Sequence, residues 1–303
     1  MLPQRVELIE VSPRDGLQNE PEILSTGDKI ELINRAAAAG AKRIEATSFV
    51  NPRRVPQMAD AEAVMAGLPR PAGVSYIGLV LNRRGFDRAL AARCGEVNYA
   101  VVATDTFSKR NQGTTTEEGL ALHDEICAAA RAAKVPYTVT IAATFGCPFE
   151  GEVPESRIAE IARRLAAGQP DEIALADTIG VAAPTAVTRL IAAVRAAAPG
   201  IPLRVHFHNT RNTGIANVYA AVEAGVTAID ASIGGIGGCP FAPAATGNVA
   251  SEDVIYMLER MGVRTGVNLP ALIETAKWLE GRLGRPVPAM LSRAGMFPPA
   301  AAA

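Results

Sequence analysis

Along the chain, short apolar runs alternate with longer Ala-rich segments whose apolar positions recur at helical spacing. The runs at 5–11 (RVELIEV), 43–49 (RIEATSF), 74–81 (VSYIGLVL) and 97–103 (VNYAVVA) predict strands. So do those at 137–145 (YTVTIAATF), 172–177 (EIALAD), 202–208 (PLRVHFH) and 227–233 (TAIDASI). Helices are predicted between them, at 26–39, 115–133, 154–168, 184–197 and 213–224, with two more at 250–262 and 268–283. Thr26 and Pro154 mark helix starts. Gly40, Gly168 and Gly225 stand at helix ends, where a left-handed residue is expected. Parallel strands need crossovers, so strands with interleaved helices imply a parallel sheet. Eight such units fit a closed (β/α)8 barrel of the TIM type, with extra C-terminal helices. An open doubly wound sheet is the runner-up. One domain is expected, with the barrel over about 5–235, a cysteine-bearing loop and helices over about 234–285, and a frayed tail over 286–303.

A barrel of this kind carries its active site at the C-terminal ends of its strands. Polar residues gather there: Arg14 and Asp15 after the first strand, Glu45 on the second, Asp105 after the fourth, Asp177 at the end of the sixth. His206 and His208 end the seventh strand, and the eighth runs into Gly234–Cys239.

Composition narrows the function. Thirty basic against thirty-one acidic residues leave a net charge of −1, which argues against nucleic acid or a membrane surface as the main partner. No apolar run approaches the ~20 residues that cross a bilayer. The four cysteines lack C-x-x-C spacing and no signal peptide is evident, so reduced thiols and a cytoplasmic protein are expected.

The chain has three histidines, and two of them are one residue apart. Residues i and i+2 of a strand share a face. His206 and His208 can therefore share a metal, with Asp15 adding a carboxylate oxygen, or they can be ordinary polar residues at a strand end. A mixed N/O set suits Mg²⁺, Mn²⁺, Co²⁺ or Zn²⁺. Arg14 is either a surface ion-pair partner or a fixed cation able to stabilise an enolate oxygen. Glu45 sits in an apolar strand, and a buried carboxylate needs a partner, here Arg14 or a metal-bound water. Asp177 has the same status, and for both a supporting role weighs as much as direct catalysis. The glycines of 234–238 can form a phosphate cradle or a mobile lid, without the ending of a P-loop. Cys239 beside them is either an acid/base group or a buried structural thiol. His123, Cys94 and Cys127 read as structural. Cys147 can line the mouth and is assigned no chemistry.

The segments EVSPRDGLQNE, IEATSFVNPRRVPQMAD, FGCPFEG, ADTIGVAAP, HFHNT and GGIGGCPFAPAATGNVASEDVIYMLERMGVRTGVNL together resemble the 3-hydroxy-3-methylglutaryl-CoA lyase family, over residues 5 to about 285. The resemblance implies a metal site of Asp15, His206, His208 and Asn248, holding Mg²⁺ or Mn²⁺. It also implies Arg14 as the catalytic arginine, Cys239 as the loop cysteine, and Glu45 and Asp177 as supporting carboxylates. An acyl-CoA would be cleaved to acetyl-CoA and acetoacetate, by a homodimer. Lys109 and Arg110, after the fourth strand, are the expected contacts for the CoA phosphates. Relative to the family pattern, Asn209 stands for Asp, Arg211 for Tyr, Asp105 for Glu, and Pro21 for a basic residue. Asn209 and Arg211 are expected to tune acyl selectivity. Citramalyl-CoA is therefore an alternative substrate, and a Claisen-type synthase of acyl-CoA and keto acid is a weaker alternative.

Overall fold

The computed structural model describes residues 2–238 and 247–298. Eight parallel strands close in sequence order, with β1 (Glu7–Glu10) paired to both β2 (Arg43–Ser48) and β8 (Ala228–Ala231). Between them run β3 (Ser75–Val80), β4 (Glu96–Val102), β5 (Tyr137–Ala142), β6 (Glu172–Asp177) and β7 (Leu203–Phe207). The strands are buried on both faces, as a parallel sheet inside a helical shell requires. That is why their sequences read as near-continuous apolar runs.

The helices are α1 (Thr26–Ala38), α2 (Ala61–Gly67), α3 (Arg83–Ala91), α4 (Asp105–Gln112), α5 (Thr116–Ala133) and α6 (Glu155–Ala167). They continue with α7 (Pro184–Ala197), α8 (Gly214–Glu223), α9 (Ser251–Arg260), α10 (Leu269–Leu283) and α11 (Leu291–Ala294). None of them is long and apolar enough to cross a membrane.

Three expectations change. Several strands are shorter than their apolar runs, because the chain turns before the run ends. Ala143, buried at φ +60°, takes the chain out of β5, and Ser12 opens a π-helical turn soon after β1. Second, α2, α3 and α4 escaped the pattern because they are short, and α3 and α4 are also strongly polar. Lys109 and Arg110 therefore lie on a helix rather than in a loop. Third, Gly40 and Gly225 have the expected positive φ, but Gly168 does not, and Gln169 carries the left-handed conformation instead. Gly168 answers to space: a Cβ there would sit 2.7 Å from His123 Nε2. His123 is a buried packing residue, with its ring nitrogens 3.0 Å from the Tyr137 hydroxyl and 3.1 Å from the Leu165 carbonyl.

Candidate active site

The π-helical turn Ser12–Gly16 carries Arg14 and Asp15 over the barrel mouth. Such turns insert one residue per turn and are frequent at functional sites. Arg14 Nε donates to Glu45 Oε2 at 2.7 Å and Nη1 to Asp15 Oδ1 at 2.6 Å. The other Glu45 oxygen accepts from Asn98 Nδ2 at 3.0 Å, so the buried carboxylate is paired on both sides. Glu45 thus has the first of its two expected partners. Two anions hold the guanidinium flat, and its five-donor fork has N–H groups to spare. Burial lowers the Arg14 pKa, but Glu45 and Asp15 outweigh it and keep the group cationic.

Asp15 Oδ2 faces the histidines. It lies 3.6 Å from His208 Nε2 and 3.9 Å from His206 Nε2. One oxygen of Asp15 and one nitrogen of each histidine lie within 4.8 Å of one another, and all three residues are buried. Burial raises the Asp15 carboxyl, yet Arg14 and the two histidines prevail and hold it well below the usual carboxylate range. Asn248 Nδ2 donates to the same Asp15 Oδ2 at 2.8 Å and to the Ile236 carbonyl at 3.1 Å.

Asn248 arrives by a route that the sequence does not advertise. Residues 247–250 insert as a short extended segment between the ends of β7 and β8. His208 pairs with Asn248 and Ser232 with Ala250 across single bridges. Val249 N donates to the Phe207 carbonyl and Ser232 N to the Val249 carbonyl, both at 3.0 Å. Glycine makes the close approach possible: at Gly237 a Cβ would meet Asn248 Nδ2 at 2.5 Å, and at Gly247 it would meet the Gly235 carbonyl at 2.5 Å. The glycine segment is not a phosphate cradle at its start, because Gly234 N is committed to Glu252 and Gly235 N to the Ser232 carbonyl. Cys239 lies outside the described residues.

Asp230 and Glu10 are two site-supporting residues that the pattern reading missed. Asp230 Oδ2 lies 3.2 Å from His206 Nδ1. A proton on Nδ1 shared with this carboxylate leaves the Nε2 lone pair facing Asp15. Burial lowers the His206 pKa, but Asp230 and Asp15 more than compensate and raise it. Glu10 accepts from Ser12 N and Ile233 N, both at 2.9 Å, and from Ser251 Oγ at 2.6 Å. It thereby ties the Arg14–Asp15 turn to the segment that delivers Asn248. An acid inside an apolar run singled out Glu45, and the same signal was present at both positions.

Other expectations are relocated. Asp177 accepts from Val181 N at 2.9 Å and Ala182 N at 3.0 Å, and it stays out of the cavity lining. Alternation along β6 gives the interior to Ala176 and leaves Asp177 as the clamp of the following loop. Burial pushes its carboxyl pKa up. Asn209 accepts from Gly214 N, and Arg211 donates to the Ile179 and Gly180 carbonyls. Neither is among the residues that line the cavity. Asp105 accepts from Thr116 N at the start of α5. Lys109 and Arg110 are exposed on α4 and also lie outside the lining, although Asn111 and Gln112 next to them belong to it.

The cavity holds about 440 Å³, with Arg14, Asp15, His206, His208 and Asp230 among its lining residues and Arg54 among those on the β2–α2 connection. Its walls mix apolar side chains with carboxamides such as Asn19 and Asn82.

Comparison with known proteins follows the same line. Residues 5–279 match the HMGL-like family model. The chain is 42% identical to a (R)-citramalyl-CoA lyase of Chloroflexus aurantiacus, over 96% of this chain and 95% of that one. It is 40% identical to the hydroxymethylglutaryl-CoA lyase YngG of Bacillus subtilis, over 94% and 96%. Among solved structures, a Bacillus subtilis HMG-CoA lyase superposes with a TM-score of 0.94 at 39% identity, covering 97% of this chain and 98% of that one. An HMG-CoA lyase from Acinetobacter baumannii, in complex with coenzyme A and 3-methylmalate, gives 0.93 at 40% identity over 97% and 96%. With its barrel, its Asp/His/His cluster and these matches, the chain belongs to the HMGL-like family.

Proposed function

We propose that the protein is a divalent-metal-dependent carbon–carbon lyase that cleaves 3-hydroxy-3-methylglutaryl-CoA to acetyl-CoA and acetoacetate. The observation that carries this reading is a clamped guanidinium beside an Asp/His/His donor set at one cavity. The donors fit a divalent cation: one carboxylate and two imidazoles are buried within 4.8 Å of one another, and His206 is oriented from behind by Asp230. Asp15, His206, His208 and Asn248 would hold Mg²⁺ or Mn²⁺. The amide nitrogen of Asn248 is already committed, so its oxygen is the atom that it has to offer. When bound, the cation supplies Lewis acidity that lowers the pKa of the substrate's tertiary hydroxyl.

The residues then divide the work. The hydroxyl gives up a proton, offset by the one that C2 later gains, and becomes the ketone of acetoacetate as the bond between C2 and C3 breaks. The released electron pair moves onto the thioester as an enolate. Arg14, fixed by Glu45 and Asp15, donates to the oxygen on which that charge develops. Its orientation is set before substrate arrives, so none of its stabilisation is lost to reorganisation. A proton must then reach C2 to complete acetyl-CoA, and Cys239 is the proposed donor. A homodimer and a cytoplasmic location belong to the same reading.

Citramalyl-CoA is the second reading, supported by the 42% identity to a lyase of that name. The bond chemistry is the same. Product analysis of the Mg²⁺- or Mn²⁺-loaded protein with each thioester, and with acetyl-CoA plus a keto acid in the condensing direction, separates the readings. Cleavage of hydroxymethylglutaryl-CoA as the better substrate is expected. Condensation without cleavage, or turnover of neither thioester, contradicts the proposal.

A further inference from the structure

Strand β7 carries an arginine on the same face as the two histidines. Arg204, His206 and His208 stand at alternate positions of the run RVHFH, so all three point into the barrel. Arg204 is 1% exposed and is among the largest fully buried side chains of the described residues. Its register partners explain how a guanidinium fits there: Ala174 on β6 and Ala228 on β8 stand on either side of it. Two alanines leave the interior of that layer to one long side chain.

Arg204 Nε lies 3.5 Å from Glu172 Oε1 and 3.4 Å from Asp230 Oδ1. The two carboxylates depend on it unequally. Glu172 also accepts from Arg43 Nη2 at 2.9 Å. Among the described residues, no other lysine or arginine forms an ion pair with Asp230. The second oxygen of Asp230 lies 3.2 Å from Nδ1 of His206, which is its register partner across β7 and β8. One carboxylate thus keeps one oxygen on a cation and the other on an imidazole. His208 has no such support: its Nδ1 is buried without a hydrogen-bond partner among the described residues. The two histidines that face Asp15 are therefore held unequally, and the difference traces to Asp230 and the cation behind it.

We propose that Arg204 is a positioning residue for the metal centre, acting through Asp230 on His206. The guanidinium holds Asp230 from turning, so Oδ2 stays on Nδ1. The ring plane of His206, and the tautomer that frees its Nε2, are then set before a cation arrives. The inference rests on the metal-dependent reading and deepens it, because it extends the support of one ligand to the closed end of the barrel. Charge alone predicts the opposite sign: a cation buried near the site repels a dication, so its removal would tighten metal binding. The sign of the effect separates positioning from plain repulsion.

The test is calorimetric titration of the intact, chelator-stripped protein with Mn²⁺, with thermal melts to check folding. The variants are Arg204→Gln, Arg204→Lys, Asp230→Asn and Arg204→Gln/Asp230→Asn. Arg204→Gln should weaken Mn²⁺ binding by ~10-fold, the low end for disturbing a partner of a metal ligand. Arg204→Lys returns a cation beside the carboxylate and should recover most of that affinity. Arg204→Gln/Asp230→Asn should bind about as Asp230→Asn alone, because the route through Asp230 is already cut. In turnover, Arg204→Gln should need more Mn²⁺ for half-maximal rate, while kcat at saturating metal and KM stay near wild type. Arg43→Met is the control: it disrupts the same ion network without an ion pair to Asp230, and its Mn²⁺ affinity should not change. Where Arg204→Gln alone does not fold, Arg204→Gln/Glu172→Gln removes a cation and an anion together and should show the same weaker binding. Unchanged or tighter Mn²⁺ binding in the folded Arg204→Gln variants would overturn the proposal. So would losses that add in Arg204→Gln/Asp230→Asn, or an equal loss in Arg43→Met. Wild type that binds no Mn²⁺ would overturn the metal reading and this inference with it, whereas the other failures leave the metal reading standing.

Discussion

The barrel buries charge at both ends, and the two ends use it differently. At the N-terminal ends of the strands, Arg43 donates to both oxygens of Glu96, at 3.0 and 2.6 Å, and to Glu172 at 2.9 Å. Arg204, 1% exposed, lies 3.5 Å from Glu172 and 3.4 Å from Asp230. Each cation there spends its charge on carboxylates. At the mouth, Arg14 is clamped just as firmly, but it lines a cavity, as do Asp15, His206 and His208. A buried ion network alone is therefore not evidence of a site. The distinguishing feature is donor capacity left over on an open face. Asp230 joins the two ends, with His206 on one side and Arg204 on the other.

The largest expected effect lies at the mouth. His206→Ala or His208→Ala should keep the fold and weaken Mn²⁺ binding by more than ~100-fold, the upper range for merely disturbing a partner of a ligand. Calorimetry with Mn²⁺ checks it, and unchanged affinity in both variants would remove the distinction between the two ends. Arg14→Gln should lower kcat by ~10²–10³, with kcat/KM falling alongside. Arg14→Lys should not restore it, because an ammonium cannot reproduce the fork between Glu45 and Asp15. A raised KM with intact kcat would make Arg14 a binding residue.

Asp230 sharpens the comparison, because it belongs to both ends. Asp230→Ala should weaken metal binding by ~10–100-fold, and saturating metal should recover much of the activity. At the closed end, Arg43→Met leaves Glu96 and Glu172 without their main partner. It should cost about 3–5 kcal/mol of stability in denaturant unfolding, while the remaining folded protein keeps its kcat. A large kcat defect there would blur the division.

The smallest effect concerns Glu252, a fully buried carboxyl at the glycine segment whose pKa burial raises well above the ordinary value. A raised folded pKa means that the native state binds more protons than the unfolded chain between the two pKa values, so stability falls as pH rises through that window. Glu252→Gln removes this slope, at most about 1.4 kcal/mol per pH unit. The variant should gain relative to wild type in melts at pH 8 compared with pH 5. A gain that is the same at both pH values would contradict the assigned shift.

The barrel was legible because two-sided burial turns every strand into an apolar run and every crossover into a helical stretch. The π-helical turn, the short polar helices and the route of residues 247–251 were not, since they depend on contacts between elements rather than on periodicity. His206, His208 and Asp15 could be picked as donors from spacing and from their place at strand ends. Asn248 came only through resemblance, because a carboxamide in a glycine-flanked segment has no pattern of its own. Asp177 takes the supporting one of its two expected roles, holding Val181 N and Ala182 N outside the cavity lining. A polar residue at a strand end can face outward, and alternation along β6 assigns the interior to Ala176.

The most direct test is turnover of hydroxymethylglutaryl-CoA in deuterium oxide by the chelator-stripped protein, before and after Mg²⁺ or Mn²⁺ is restored. With metal restored, acetoacetate and acetyl-CoA should form in equal amounts, with one solvent deuterium in the acetyl methyl group, and the stripped protein should be inactive. Equal activity with and without the cation, or loss of substrate without both products, would contradict metal-dependent cleavage at this site.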